Sequence, residues 1–333
     1  VTARKKRAKT KVAAQPKTAR AKAKAAPAPV AEQAARAAKP AAPPVRSRIP
    51  NLAILEDRIR EYAATPRGTQ VPGEARAVVL QLLDVLESGS VRAAMPNGDG
   101  QWQAVDWVKL GILLAFRVGV AKSIAVAGEP PVVRFIDKDT VPVRILEPNE
   151  GVRVVPGGSS VRRGAYIGPG VVCMPPMFIN VGAYVGRDSM IDSHALVGSC
   201  AQVGERVHVS AAAQIGGVLE PINAAPVVIE DDVIVGGNCG VYEGTVVRAG
   251  AVLAAGVVLT RGTPIFDLAR DRVHVARPDG PLEVPPKAVV VPGARRVRGT
   301  WAETQGLSLQ TPIIVKYRDA KTDVSTLLEK WLR

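Results

Sequence analysis

The stretch VRRGAYIGPGVVCMPPMFINVGAYVGRDSMIDSHALVGSCAQVGERVHVSAAAQIGGVLEP, Val161 to Pro221, repeats itself every six residues. An apolar residue recurs at Ile167, Cys173, Ile179, Val185, Ile191, Val197, Val203, Val209 and Ile215. After an interruption around Pro221–Val228 it resumes at Ile229, Val235, Val241, Val247, Leu253 and Leu259. Four residues beyond most of these stands a small or β-branched residue, such as Val171, Ala183, Ala195, Ala201 or Ala251, with Met177 and Leu219 as bulky exceptions. A half-buried strand alternates with period two. Period six, sustained over fifteen hexads, is a signature of a β-helix.

The physical logic is a triangular prism. Each hexad supplies one short strand, three strands make a turn of eighteen residues, and the aliphatic side chain of each strand fills the interior. Glycine follows the apolar residue at Gly168, Gly186, Gly198, Gly204, Gly216 and Gly236; its conformational freedom is expected to ease the corners. Ile215 to Ile229 is fourteen residues rather than twelve, so an excursion two residues out of phase is expected near 220–228. Such a loop is either tolerated or a flap over a site.

Outward from the repeat, helices are expected at Asn51–Thr65, Glu74–Ser88 and Val105–Phe116, from apolar residues at helical spacing. Short strands are expected at Val91–Met95, within Pro131–Val155, and at Val273–Val275, Ala288–Val291 and Thr311–Lys316, with a helix at Asp323–Leu332. The expected architecture is mainly β: a left-handed parallel β-helix over 161–264 with a helical N-terminal domain (49–130), connecting strands and loops (131–160), and a small C-terminal β/α cap (265–333) sealing the open end.

The formal net charge of +14 points at first to nucleic acid. Residues 1–48, however, hold fourteen Lys/Arg and one acid, which leaves 30 basic against 29 acidic residues for the rest. The basic signal belongs to this Ala/Lys/Pro-rich tail, expected to be disordered. It is either a solvated extension or an arm for nucleic acid, the only route by which nucleic acid enters this reading. The early stretch has no apolar core of a signal peptide, and no run of about 18 apolar residues suggests a membrane helix. Cys173, Cys200 and Cys239 are odd in number and lack a CxxC pair, which argues against structural zinc and a disulfide framework and fits a reducing cytoplasm.

Several runs carry a more specific resemblance. Gly151-Val152-Arg153-Val154-Val155-Pro156, Ile179-Asn180-Val181-Gly182-Ala183-Tyr184-Val185, Met190-Ile191-Asp192, Val197-Gly198-Ser199-Cys200-Ala201-Gln202 and Gly216-Gly217-Val218-Leu219-Glu220-Pro221 resemble the tetrahydrodipicolinate N-succinyltransferases. Gly100-Gln101-Trp102, Trp107, Lys109 and Phe116-Arg117 resemble that family's helical N-terminal domain. The resemblance covers Asn51 to Arg333. It implies transfer of a succinyl group from succinyl-CoA to the amine of tetrahydrodipicolinate, a step of lysine and diaminopimelate biosynthesis. It also implies a cytoplasmic homotrimer with sites between neighbouring β-helices, no permanently bound cofactor and no metal.

The resemblance places substrate binding at Arg153 and Asp192; Ser199, in one of the quoted runs, is a further substrate-binding candidate, and Glu220, at the start of the excursion, is a further candidate for substrate binding or for the base. A guanidinium can hold a carboxylate by two parallel hydrogen bonds, which suits Arg153. Asp192 follows an inward aliphatic residue, so its side chain is expected to point outward, where a carboxylate on a rigid coil suits a general base. One departure matters: Gly240 stands where the family carries a glutamate considered catalytic. The base is therefore Asp192, Glu243 or water. Arg261 is a candidate for CoA phosphates by position alone. His194 is expected as a cleft-lining contact and Cys200 as a small wall residue. The change at Gly240 also leaves open a related N-acyltransferase using acetyl-CoA or another amine. A non-catalytic β-helix scaffold with a nucleic-acid-binding tail is the reading from a different class.

Overall fold

A computed structural model describes residues 51–125, 134–278 and 280–319. The expectations for the basic tail, for residues 131–133 and for a helix at 323–332 lie outside the described residues. Three helices come first: α1 (Leu52–Ala63), α2 (Ala75–Glu87) and α3 (Asp106–Val118). Asn51 starts α1 by accepting the Ala53 N–H at 3.1 Å. Leu55 and Ile59 of α1 pack with Val78, Val79, Leu82, Leu83 and Leu86 of α2 and with Val108 and Ile112 of α3. A hairpin, Ala94–Pro96 against Trp102–Ala104, turns at Asn97–Gly100 between α2 and α3. None of the described helices is long and apolar enough to cross a membrane.

The rest of the described chain is mainly β, and the hexads form three parallel ladders. Face I stacks Arg153–Val154, Val172–Cys173, Met190–Ile191, His208–Val209, Ile234–Val235 and Val252–Leu253. Face II stacks Ser160–Val161, Phe178–Ile179, Leu196–Val197, Gln214–Ile215, Gly240–Val241 and Val258–Leu259. Face III stacks Tyr166–Ile167, Tyr184–Val185, Gln202–Val203, Val228–Ile229 and Val246–Val247. The chain visits the faces in the order I, II, III and returns, so the sheets wrap one apolar interior. All fifteen repeat positions are buried in that interior. Each buried aliphatic side chain contributes about 1.5–3 kcal/mol relative to exposure.

Two expectations are corrected. Val203 pairs with Ile229, twenty-six residues on rather than eighteen. The excursion therefore inserts eight residues into one turn between faces II and III and leaves every ladder in register. Leu219 leaves the prism with it and packs against the helices. The glycines that follow the apolar residue also act differently from the expectation. The left-handed backbone region falls two residues later, at the corner, where non-glycine residues such as Asp188, His194, Cys200 and Ala212 adopt it. Gly198 instead permits close approach of the next turn: a Cβ there would stand 2.2 Å from the Gly217 nitrogen.

Past the last hexad, face I continues. Ala288–Arg296 pairs with Val252–Leu253, then with Ser308–Tyr317, which pairs with Ile265–Asp267, itself paired with Arg272–His274. These strands are longer than expected at 288 and 311, and a short helix, α4 (Thr300–Thr304), lies between the two longest. The wholly buried Asp267 carboxylate pins them together by accepting the Tyr317 hydroxyl at 2.7 Å and lying 3.1 Å from His274 Nε2.

The close-approach glycine and the left-handed corner make opposite predictions. Gly198→Ala destabilises by about 1–3 kcal/mol, because a neighbouring backbone must move. Ala212→Gly, at a φ of 58°, stabilises by about 1 kcal/mol, because it relieves the left-handed conformation. Thermal unfolding midpoints check both.

Candidate active site

The sequence-predicted residues fall on face I and on two edges of the prism. Asp192 ends a strand of face I and begins the edge between faces I and II. Arg153 lies on face I, two rungs before Met190, about 10 Å along the axis at the usual strand spacing. It is exposed. The Asp192 carboxylate is held at Oδ1 by the Ser193 N–H at 2.7 Å, and Oδ2 lies 3.6 Å from His208 Nε2. His208 was not singled out in the sequence. The eighteen-residue turn carries the signal for it, because Met190 stacks on His208 and the residues beside that pair are neighbours. His194 takes the exposed left-handed corner two residues past Asp192.

Ser199, Glu220, Glu243 and Arg261 follow strands of face II and lie along the edge between faces II and III. Glu243 and Arg261 meet: the Arg261 N–H donates to Glu243 Oε2 at 3.1 Å. The Arg261 guanidinium donates to the Pro278 carbonyl. Both line a cleft of about 670 Å³ walled by the excursion at Pro221 and Asn223 and by Trp102 and Asp106. Glu220 is exposed at the start of the excursion. Ser199 lies beneath it, its carbonyl accepting the Val218 N–H at 3.2 Å. A single chain thus joins Glu243 with Arg261 and places Arg153 and Asp192 on another part of the prism. No group of three or more His, Cys, Asp or Glu able to hold a metal ion occurs among the described residues.

One buried cation sets the excursion. Lys109, on α3, is wholly buried, and its ammonium donates to the carbonyls of Pro221 at 2.9 Å and Ala224 at 2.8 Å. Burial pushes its pKa below the ordinary lysine value, with Cys200 opposing. Cys200 is buried among the helices, and that burial pushes its thiol up to about 12. It is therefore protonated at neutral pH and fits a wall better than a nucleophile.

Replacing the ammonium removes two charge-assisted hydrogen bonds, leaving the Pro221 carbonyl with the Ala224 N–H alone and the Ala224 carbonyl without the ammonium. Lys109→Met should cost about 2–4 kcal/mol and speed amide exchange at 220–227 more than in the prism. Exchange mass spectrometry reads this directly, and unchanged protection at 220–227 would contradict the clamp.

Residues 55–118 match the family described as tetrahydrodipicolinate N-succinyltransferase N-terminal, and residues 226–261 match the hexapeptide repeat of succinyl-transferase. A 2,3,4,5-tetrahydropyridine-2,6-dicarboxylate N-succinyltransferase of Chelativorans sp. (strain BNC1) is 41% identical over 269 residues, covering 80% of this chain and 91% of the relative. The enzyme of that name from Bradyrhizobium diazoefficiens is 42% identical over 291 residues, covering 85% of this chain and 99% of the relative. The chain belongs to the 2,3,4,5-tetrahydropyridine-2,6-dicarboxylate N-succinyltransferase family.

Proposed function

We propose that this chain transfers a succinyl group from succinyl-CoA to the amine of tetrahydrodipicolinate after hydration of its imine. The products are N-succinyl-2-amino-6-oxopimelate and CoA. The identity to relatives of that name over nearly their whole length carries this reading. In the reaction the amine nitrogen attacks the thioester carbonyl, the C–S bond breaks and the sulfur leaves as CoA thiol. Asp192 takes the amine proton; its Oδ1 is already fixed by the Ser193 N–H, so little reorganisation is needed. Arg153 grips a substrate carboxylate, and Ser199 and Glu220 contact the acceptor. Glu243 is the second carboxylate of the site, and Arg261 meets the CoA phosphates. No resident cofactor is needed.

The same reading makes the protein a cytoplasmic homotrimer. Asp192 and Glu243 occupy different edges of one prism, an arrangement suited to a site in which the I/II edge of one copy faces the II/III edge of the next. The reading includes a left-handed winding and a cap formed by the strands after 265. It keeps the division into a tail at 1–48, a helical domain at 49–130, a connector at 131–160, the β-helix at 161–264 and the end segment at 265–333.

Steady-state release of CoA tests the assignment. Succinyl-CoA should be used much better than acetyl-CoA, and equal or better use of acetyl-CoA overturns the choice of donor. Asp192→Asn should lower kcat by roughly 10²–10⁴-fold with the trimer intact, whereas Arg153→Lys should mainly raise KM for the acceptor. Unchanged turnover in Asp192→Asn removes that residue from the chemistry.

A further inference from the structure

The third edge of the prism, between faces III and I, carries none of the catalytic or substrate-binding candidates, yet it holds a cavity of about 370 Å³ that shares only the Trp102 wall with the cleft at Glu243. Arg92, Trp102, Tyr184, Glu205, Glu230 and Asp231 line it. Arg92 is held in place from several sides. Its guanidinium carbon lies 3.7 Å from the centre of the Tyr184 ring and 5.3 Å from that of Trp102, and Tyr166 stacks beneath Tyr184 at 4.5 Å. Its Nε donates to Gln202 Oε1 at 2.9 Å. Gln202 is itself wholly buried and locked by donating its amide to the Cys200 carbonyl at 2.8 Å. A buried side chain is thus committed to aiming a guanidinium.

Among the described residues that guanidinium has no carboxylate within ion-pair distance. Among the described residues its hydrogen bond to Gln202 is the only one it makes. Burial pushes its pKa below the usual arginine range, with Tyr184 and Asp231 opposing. A half-buried cation without an anion is costly, and its free Nη edge suits a carboxylate.

The carboxylates of the cavity divide into committed and available. Glu230 is used up: Oε1 accepts from Trp102 Nε1 at 2.9 Å and Arg248 Nη1 at 2.8 Å, and Oε2 accepts the Ala249 N–H at 2.9 Å. Glu205 and Asp231 keep spare capacity. Each gives one oxygen to a local contact, Glu205 Oε2 to Arg206 at 2.7 Å and Asp231 Oδ1 to the Glu205 N–H at 2.9 Å. Asp231 Oδ2 lies 3.6 Å from Arg206 Nη2, which is already paired with Asp232. A bare anion would meet these carboxylates unfavourably, and a bare cation would meet Arg92. A molecule carrying both charges satisfies both walls.

We propose that this third-edge cavity binds a small α-amino carboxylate zwitterion, its carboxylate on Arg92 and its ammonium on Glu205 and Asp231. The Trp102 ring, which lines the same cavity, receives a short aliphatic side chain. The volume is within the usual range of small-molecule sites. The inference is independent of succinyl transfer, because it concerns binding alone.

Titration calorimetry on the full chain, without acyl donor, tests it with three probes: L-norvaline, pentanoate, which lacks the amine, and butylamine, which lacks the carboxylate. L-norvaline should bind saturably and at least roughly tenfold tighter than either single-charge probe. Arg92→Gln, shown folded by circular dichroism, should abolish binding. Glu205→Gln should weaken it by roughly tenfold, and it decides the matter if Arg92→Gln does not fold. No saturable norvaline binding, pentanoate binding as tight as norvaline, or binding unchanged in these variants overturns the proposal.

Discussion

Everything in this structure depends on the register of two-residue strands stacked at intervals of one turn. Each such strand is far too short to persist alone. It gains its backbone hydrogen bonds only from the strands above and below, and its aliphatic side chain is buried only if the turn length is kept. The glycine after that side chain belongs to the same constraint. At Gly198 the next turn passes so close that no Cβ fits. The corner beyond it is forced into the left-handed backbone region even where aspartate, histidine or alanine must adopt it. A prism of this kind is rigid along its length, and side chains placed on its edges keep their separations.

The excursion shows how such a scaffold accepts an insertion. Eight extra residues enter one corner, yet Gln202 and Val203 still pair with Val228 and Ile229. The inserted backbone is fixed from outside the prism, by the ammonium of Lys109 on its carbonyls. The helices thereby set one wall of the cleft at Glu243 and Arg261. A change deep in α3 is felt at the cleft, although Lys109 is buried and does not line it.

Much of this was legible in the sequence. Period six located the fifteen repeat residues of the interior, and helical spacing located α1, α2 and α3 to within a few residues. What escaped has physical causes. The two-residue phase error arose because a gap of fourteen can be read as two hexads plus two or as one hexad plus eight, and only strand pairing decides. The role of the glycines was misassigned because conformational freedom and lack of bulk leave the same letter in the sequence. Ala121–Ala125, paired with Arg134–Lys138, was missed because it lacks clean alternation. Among the candidate site residues, Asp192 and Arg153 rest on family resemblance. His208 and Arg92 emerge only when residues one turn apart, or from separate segments, are stacked in space.

Subunit complementation tests most directly the proposed sharing of the succinyl-transfer site between copies. Asp192→Asn disables one edge, and Asn223→Trp fills the cleft on the other. Each variant alone should be nearly inactive. Co-assembled trimers should regain succinyl transfer, because some interfaces then join an intact Asp192 edge to an open cleft. Mixed trimers no more active than either parent, or full activity in Asn223→Trp alone, would contradict the shared site.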